Sequence, residues 1–152
     1  MRAYFFVNSA LSGIQKGLQV AHCVAELSLK VSEYEWSSSV DDFISWSGND
    51  KTIIVLEGGF HQNLQEIYTF LKGPNEDSES SAQFHEYLWA AFSEDQKTMN
   101  GMMTCVGIML PRWVYASAKQ LREGINFEDL KDELSAWEIE LINLLNSCPL
   151  AR

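Results

Sequence analysis

Twice along the sequence, a short apolar run is followed by a turn and then by an amphipathic stretch. Residues 3–7 are an aromatic run that predicts a buried strand, and a polar turn follows at residues 8–13. Residues 51–56 form the clearest strand, a Gly-Gly pair ends it, and residues 61–71 then have helical spacing. Two consecutive strand–helix units predict a parallel pair of strands with a right-handed crossover, and therefore an α/β architecture.

The apolar spacing also predicts which face of each helix is buried. The first helix is predicted over residues 14–31, with a buried face made of Ile14, Leu18, Ala21, Val24 or Ala25, and Leu27 or Leu29. Lys16 and Gln19 are predicted to lie off that face. The second helix is predicted to stop at the sequence K-G-P, residues 72–74.

The second half of the chain predicts two further strands. Residues 84–92 fit a strand, with a helix as the alternative, and residues 102–110 fit a buried strand that Pro111 ends. The Asn-Gly dipeptide at residues 100–101 is typical of a hairpin, so this pair is predicted to be antiparallel. An acidic, serine-rich loop is predicted at residues 75–81.

The C-terminal part is predicted to be helical, first over residues 112–122 and then in a long helix from Phe127. An apolar stripe on the long helix is predicted to be core or a dimer surface; it consists of Phe127, Leu130, Leu134, Trp137, Leu141 and Leu144 or Leu145. The 152 residues contain no repeat, so a single domain is predicted over residues 1–152. Its sheet is expected to be mixed, with helices packed against it.

Composition limits the location and the partners of the protein. No apolar run approaches the roughly 20 residues that cross a bilayer, so no membrane association is predicted, and the apolar N-terminus is too short for a signal peptide. We therefore expect a cytoplasmic protein whose three cysteines are reduced. The net charge is −10, from 11 basic and 21 acidic residues. An acidic field slows the approach of a polyanion, which disfavours tRNA as a partner.

The carboxyl ends of the parallel strands are where ligands bind in open α/β sheets. Two turns meet this condition, at residues 8–13 and 57–61, and each leads into a helix N-terminus that favours an anion. The predicted ligand-binding residues there are Asn8, Ser12, Gly13, Lys16, Gln19, His22, Gly58, Gly59 and His61. The alternatives are an ordinary turn at the Gly-Gly pair and a solvent-exposed Lys16.

Other chemistry has less support in the sequence. The histidines, including His85, and the cysteines are not spaced like the ligands of a metal site, so no metal is predicted. No motif predicts a cofactor. The cluster S-E-D at residues 93–95 could supply a general base or be a solvated hairpin rim. Cys105 is predicted to be an inert core thiol.

Three segments resemble the class II peptidyl-tRNA hydrolases. The sequence G-L-Q-V-A-H at residues 17–22 is similar to the family's A-A-Q-x-x-H segment on the first helix. Residues 46–55 are similar to its W…G…K-V-V-V segment, and T-C-V-G-I at residues 104–108 is similar to its T-V-L-G-I strand. The segments occur in the family's order, and the resemblance covers about residues 3–115, with residues 116–152 as a helical extension.

The resemblance implies a four-stranded mixed sheet in β-α-β-α-β-β order, often a homodimer, and hydrolysis of the ester between a peptide and tRNA. In the family, a lysine before the first helix acts with an aspartate and threonines in the turn between the last two strands. Carried over, this implies Lys16, Asp95 and Thr104 as catalytic candidates and Thr98 as a further ligand-binding residue. The lysine is displaced by one position here, and the family's D-x-G-x-T signature is absent.

Three functional hypotheses follow. The first is a small-ligand binding protein that holds a phosphate-bearing or nucleotide-derived molecule between residues 8–19, 58–61 and 95–104. Its role would be sequestering or regulatory, as in a viral protein. The second is an active peptidyl-tRNA hydrolase, and the third is a protein-interaction module that acts through the C-terminal helix.

Overall fold

Four strands form one mixed sheet in the order β2-β1-β4-β3. The structure is a computed structural model, and it describes residues 1–33, 38–76, 87–124 and 134–152. β1 pairs in parallel with β2 and antiparallel with β4, and β4 also pairs antiparallel with β3. The strands are β1 Arg2–Val7, β2 Ile53–Glu57, β3 Trp89–Ser93 and β4 Met103–Leu110. The predicted α/β class and mixed sheet are therefore confirmed.

Six helices are described around this sheet: α1 Gly13–Glu33, α2 Ser38–Ser45, α3 His61–Glu76, α4 Gln96–Met99, α5 Arg112–Arg122 and α6 Ala136–Ser147. A π-helical turn, Trp46–Asp50, follows α2. The helix predicted at 112–122 is confirmed as α5. The β3–β4 connection contains α4 before the left-handed pair Asn100 and Gly101, so it is longer than a two-residue hairpin.

Several predicted features fall on residues that the structure does not describe. The third strand, predicted from residue 84, is seen from Trp89 onward, while residues 77–86 lie outside the described residues. That range contains His85 and most of the predicted acidic loop. Phe127 and Leu130 also lie outside the described residues.

Alternate side chains of β1 point to opposite faces of the sheet. Phe5 and Val7 pack on one face with Cys23 and Leu27 of α1. Phe6 packs on the other face, where side chains of α3, α5 and α6 complete a second apolar cluster. The domain therefore has three layers with the sheet in the middle. Burial on both faces explains why β1 and β4 are continuously apolar in sequence.

The buried face of α1 differs from the predicted one. Ile14 and Leu18 are 82% and 56% exposed, whereas Lys16, Gln19 and Val20 are buried. The face is set by packing on the sheet further along the helix. Its first turns then lie over the strand ends, where the polar side chains find hydrogen-bonding partners. The prediction of Ile14 and Leu18 as core residues, with Lys16 and Gln19 outside, is wrong.

The helix α3 does not stop at Gly73 and Pro74 but continues to Glu76. A proline has no N–H group for the carbonyl four residues earlier, which here belongs to Phe70. The indole Nε1 of Trp137 donates to that carbonyl at 3.3 Å, so the acceptor does not remain unpaired. The rings of Phe70 and Trp137 also stack, with their centroids 5.3 Å apart. A partner in α6 thus allows the helix to pass the predicted stop.

The last described helix begins at Ala136 and not at Phe127. Ser135 caps it, in a capping box with Glu138. Its apolar residues Leu141, Ile142 and Leu145 are buried in the cluster that covers the second face of the sheet. Leu141 and Leu145 of the predicted stripe are therefore core in this helix, while an interaction module or dimer surface there stays a prediction.

Beyond α6, the chain runs along the outer edge of β2. Leu150 forms a bridge with Leu56, the Glu57 amide donates to the Pro149 carbonyl, and the Ala151 amide donates to Val55, both at 2.9 Å. We call residues 149–152 the C-terminal strap. The strap covers a strand edge that would otherwise be open to pairing with another chain.

Replacing Trp137 with Phe should lower the free energy of unfolding by about 1 kcal/mol, because the Phe70 carbonyl loses its donor while the ring packing is kept. In a Pro74→Ala background the restored amide can bond that carbonyl, so the same substitution should cost less. Urea unfolding of the four proteins measures both costs. An equal cost in both backgrounds would contradict the proposed role of the indole.

Candidate functional site

The carboxyl ends of β1 and β2 lie beside the start of β4, and Asn8 joins them. Asn8 is fully buried. Its side-chain amide donates to the Met103 carbonyl at 3.2 Å, and its side-chain oxygen accepts from the Ala10 amide at 3.0 Å. Its backbone amide donates to the Thr104 carbonyl at 3.0 Å. Asn8 therefore fixes the turn against β4 and does not face solvent.

Lys16 is buried in an ion pair with Glu57, the last residue of β2. Its Nζ lies 2.5 Å from Glu57 Oε1 and 3.5 Å from the backbone oxygen of Arg152. The other carboxylate oxygen of Glu57 accepts from the Ser9 hydroxyl at 2.8 Å. The charge of Lys16 is therefore neutralised inside the protein, and the solvent-exposed alternative does not hold.

The same contacts keep Glu57 ionised. Burial alone raises the pKa of its carboxyl. The hydrogen bonds from Lys16, Ser9 and the Arg152 amide, together with the lysine's charge, outweigh this effect and lower the pKa of Glu57 below its usual value. A charged carboxylate therefore stands at the end of β2 at neutral pH.

Gln19 and Thr104, which match the family motifs, are both buried and bonded to each other. The Thr104 hydroxyl donates to Gln19 Oε1 at 2.7 Å, and Gln19 Nε2 donates to Glu94 Oε1 at 2.8 Å. This network joins α1, β4 and the segment that follows β3. Because Thr104 is 0% exposed, its hydroxyl serves the network and is not open to a substrate.

The two predicted histidines have separate contacts. His22 is exposed and stacks on Phe92, with ring centroids 4.6 Å apart. His61 accepts the Met103 amide at Nδ1, at 2.9 Å, which fixes the start of α3 against β4. Within the described residues, no hydrogen bond joins either ring to Gln19.

Both predicted anion sites, the starts of α1 and α3, are capped by side chains. The Ser12 amide donates to Gln15 Oε1 at 2.9 Å, and the Gln15 amide donates to the Ser12 hydroxyl at 3.5 Å. Asn63 accepts the Phe60 amide at 3.0 Å, and the Gly58 amide donates to the last carbonyl of β1 at 2.9 Å. These four amides are therefore used within the chain.

The Gly-Gly pair is required by the tight turn between β2 and α3. A Cβ at Gly58 would lie 2.5 Å from Leu64 and 2.9 Å from the Cβ of Phe6. Gly59 has a φ of +81°, which disfavours other residues. The turn alternative left open by the sequence therefore accounts for both glycines. At Gly13, by contrast, the nearest atom to an added Cβ is the Arg152 oxygen at 4.0 Å.

Asp95 and Thr98 form an exposed cap on α4. The Asp95 carboxylate accepts from the amides of Lys97 and Thr98 at 2.8 and 2.6 Å, and from the Thr98 hydroxyl at 2.8 Å. The bonds from Thr98, and then that from Lys97, lower the pKa of Asp95. In the described chain, no hydrogen bond or ion pair joins Asp95 to Lys16 or Thr104. The three catalytic candidates thus occupy separate environments.

A cleft of about 550 Å³ lies between α3 and α6, beside the carboxyl end of β2. Ile67 and Phe70 form part of the α3 wall, and Leu144 and Cys148 form part of the opposite wall. The turn at residues 57–60 lines the end nearest the sheet. Its volume falls within the roughly 300–1,000 Å³ of small-molecule sites.

The described residues that line this α3–α6 cleft carry only negative charges. Glu57, Glu66 and Glu140 line it, and none of its described lining residues is Lys, Arg or His. Glu66 and Glu140 are exposed, one on each helix. Phe60, at the end nearest the sheet, is 63% exposed. The cleft therefore combines apolar walls with negative charge.

Sequence reasoning located the two glycines of the cleft but not its other wall. Glu57 could have been predicted, because it directly follows a parallel strand. Glu140, Leu144 and Cys148 are spaced four apart and so share one side of α6. No sequence signal places that side opposite α3.

No protein-family model matches this sequence, and no curated protein matches it. The relationship with the peptidyl-tRNA hydrolases, the dimer and the cytoplasmic location therefore remain predictions. Within the described ranges, no group of three His, Cys, Asp or Glu side chains is placed to hold a metal ion. None of the helices described there has both the length and the apolar character that a membrane crossing needs.

Replacing Glu57 with Gln should change how stability depends on pH. Because its folded-state pKa is lowered, Glu57 stabilises the fold above its unfolded-state pKa of about 4.3, and this contribution is lost as the pH falls through the folded-state value. Glu57→Gln should therefore be less stable at pH 7, and should lose less stability than the wild type on acidification. Urea midpoints between pH 7 and pH 3 measure this.

Glu123→Gln is the matched control, since it removes an exposed carboxylate that lies 3.6 Å from Lys119. It should follow the wild-type pH curve, because exposed pairs contribute little. If Glu57→Gln also followed that curve, the Lys16–Glu57 pair would not be the acid-sensitive contact.

Proposed function

We propose that this protein is a small-ligand binding protein that holds an organic molecule in the α3–α6 cleft, in a sequestering or regulatory role. The observation that carries the proposal is the cleft itself, which lies at the carboxyl end of β2. Ligands gather at that end of parallel strands. Its apolar walls, with a few polar groups at the margins, are typical of such sites.

Binding without reaction is favoured by the environment of the catalytic candidates. Lys16 is paired with Glu57, Thr104 is enclosed, and Asp95 caps a separate helix. A general base or nucleophile must come within hydrogen-bonding reach of the group that reacts. These residues are instead bonded to other side chains or to the backbone.

A nucleotide-derived ligand enters this proposal through its base and sugar. An aromatic base can pack against Phe60 and Phe70, and its amino and hydroxyl groups can donate to Glu66 and Glu140. A phosphate group in the cleft would lie beside like charges, and would gain no cation from the described lining. The phosphate-free part of such a molecule is therefore the part we place inside.

A bulky residue in the cleft wall should abolish binding. Leu144 is half-buried in that wall, so Leu144→Trp fills the space. Asn143→Trp adds the same side chain at an exposed position that does not line the cleft. Titration calorimetry against nucleosides, nucleotides and aromatic amines should show at least one ligand for the wild type and Asn143→Trp, and none for Leu144→Trp. A ligand that bound all three proteins equally would exclude the cleft.

Peptidyl-tRNA hydrolysis is the second candidate function. The observation that favours it is the 2.7 Å hydrogen bond between Gln19 and Thr104, because both residues match the family motifs. It requires Lys16 to leave its ion pair when substrate binds. The net charge of −10 disfavours a tRNA partner.

Release of peptide from peptidyl-tRNA separates the two candidates. Our leading proposal expects no release above the buffer rate. An active hydrolase would release peptide, and Lys16→Ala would lower that activity at least about tenfold because its positioned group is gone. Lys119→Ala, at an exposed position of α5, would leave the activity unchanged. Release with that pattern would replace the binding proposal.

A further inference from the structure

The two helices that enclose the α3–α6 cleft each present one carboxylate to it. Glu66 lies on α3 beside Ile67 and Phe70, and Glu140 lies on α6 one turn before Leu144. Glu57 is already neutralised by Lys16, at the end of the cleft nearest the sheet. The two remaining carboxylates have no basic partner within the described residues.

The walls between these carboxylates are apolar and partly aromatic. Phe70 is held in position by stacking on Trp137, at an interplanar angle of 14°. Phe60 is 63% exposed at the end nearest the sheet, without an aromatic or basic partner among the described residues. Aromatic faces attract cations, because their π electrons make the face of the ring negative.

From these features we infer that the ligand of the cleft carries a positively charged amine joined to an apolar or aromatic body. This inference rests on the proposed function and names its ligand class. The body would pack against Phe70 and Leu144, and the ammonium group would lie between Glu66 and Glu140. Charge complementarity selects this occupant. Two carboxylates without a basic partner in the described chain line the cleft beside its apolar walls, none of the described lining residues is a cation, and the chain carries a net charge of −10.

Three probes separate the contribution of the ammonium group to binding from that of the body that carries it. Phenethylamine, 2-phenylethanol and phenylacetate share a phenyl ring and differ in having a positive, neutral or negative end. Phenethylamine should bind the wild-type protein at least about tenfold more tightly than 2-phenylethanol, and phenylacetate should bind least. The advantage of the amine should shrink as NaCl is raised from 50 to 500 mM, because salt screens exposed charges.

The double variant Glu66→Gln/Glu140→Gln tests which carboxylates act. It should bring the amine and the alcohol to within about threefold of each other, since the shape of the cleft is kept while its charge is removed. Asp41→Asn/Glu26→Gln is the control, because it removes two carboxylates from α1 and α2, which do not line the cleft. It should keep the amine preference.

The outcomes separate this inference from the function on which it rests. One outcome is that the wild type binds phenethylamine and 2-phenylethanol equally and that Leu144→Trp binds neither. This result would overturn the inference and leave the binding function intact. A preference for the amine that survived Glu66→Gln/Glu140→Gln would also overturn it. Binding of none of the three probes at millimolar concentration, measured by calorimetry and by ligand-observed NMR, would overturn both.

Discussion

The Glu57 carboxylate joins parts of the chain that are far apart in sequence. It accepts from the Lys16 ammonium group of α1, the Ser9 hydroxyl after β1 and the Arg152 amide of the C-terminal strap. The contact to Lys16 explains why a lysine can be buried at the start of a helix. The contact to the strap places the segment that follows α6 beside β2. The position of one wall of the cleft therefore depends on the residue that also closes the polar strand ends.

The polar strand ends and the α3–α6 cleft are connected through Glu57, but their side chains have different roles. At the edge, Asn8, Gln19 and Thr104 are buried and bonded within the protein, and no buried side-chain nitrogen or oxygen in the described chain lacks a partner. A fully satisfied network stabilises a fold and leaves little for a ligand to gain. In the cleft, by contrast, Glu66 and Glu140 lie beside apolar walls and have no basic partner in the part of the chain that the structure describes. A bound ligand therefore stabilises the cleft more than it would stabilise the polar strand ends.

The buried strands were predictable because burial on both faces makes them continuously apolar, and strand–helix alternation predicted that the first two pair in parallel. The antiparallel pairing of β1 with β4 in the middle of the sheet was not predicted. The boundary of α3 was not predictable. It depends on the Trp137 indole, which lies 67 positions after Phe70 and donates to the Phe70 carbonyl, the acceptor that Pro74 cannot bond. The face of α1 was mistaken for a similar reason. Local spacing favoured Ile14 and Leu18, whereas Lys16 and Gln19 are buried because Glu57 and Thr104 lie opposite them.

Of the predicted ligand-binding residues, Gly58 and Gly59 line the cleft, and the others do not. The rule for parallel strands led to the turn at Gly58 and Gly59, and that turn does line the cleft. The anion expected there stays a prediction, and the carboxylates that line the cleft disfavour an anion in it. Glu140 could not be found from sequence, since its approach to α3 follows from the packing of α6.

Cys148 supplies the most direct measurement of whether the cleft is the binding site. It lines the cleft and is half-buried, whereas Cys23 and Cys105 are fully buried, and burial raises the pKa of the Cys105 thiol well above its usual value. Burial also raises the pKa of Cys148, so alkylation by iodoacetamide is best followed at about pH 8.5 by mass spectrometry. With saturating phenethylamine, Cys148 should be alkylated several-fold more slowly. An unchanged rate at a concentration where calorimetry shows the probe bound would place the ligand elsewhere.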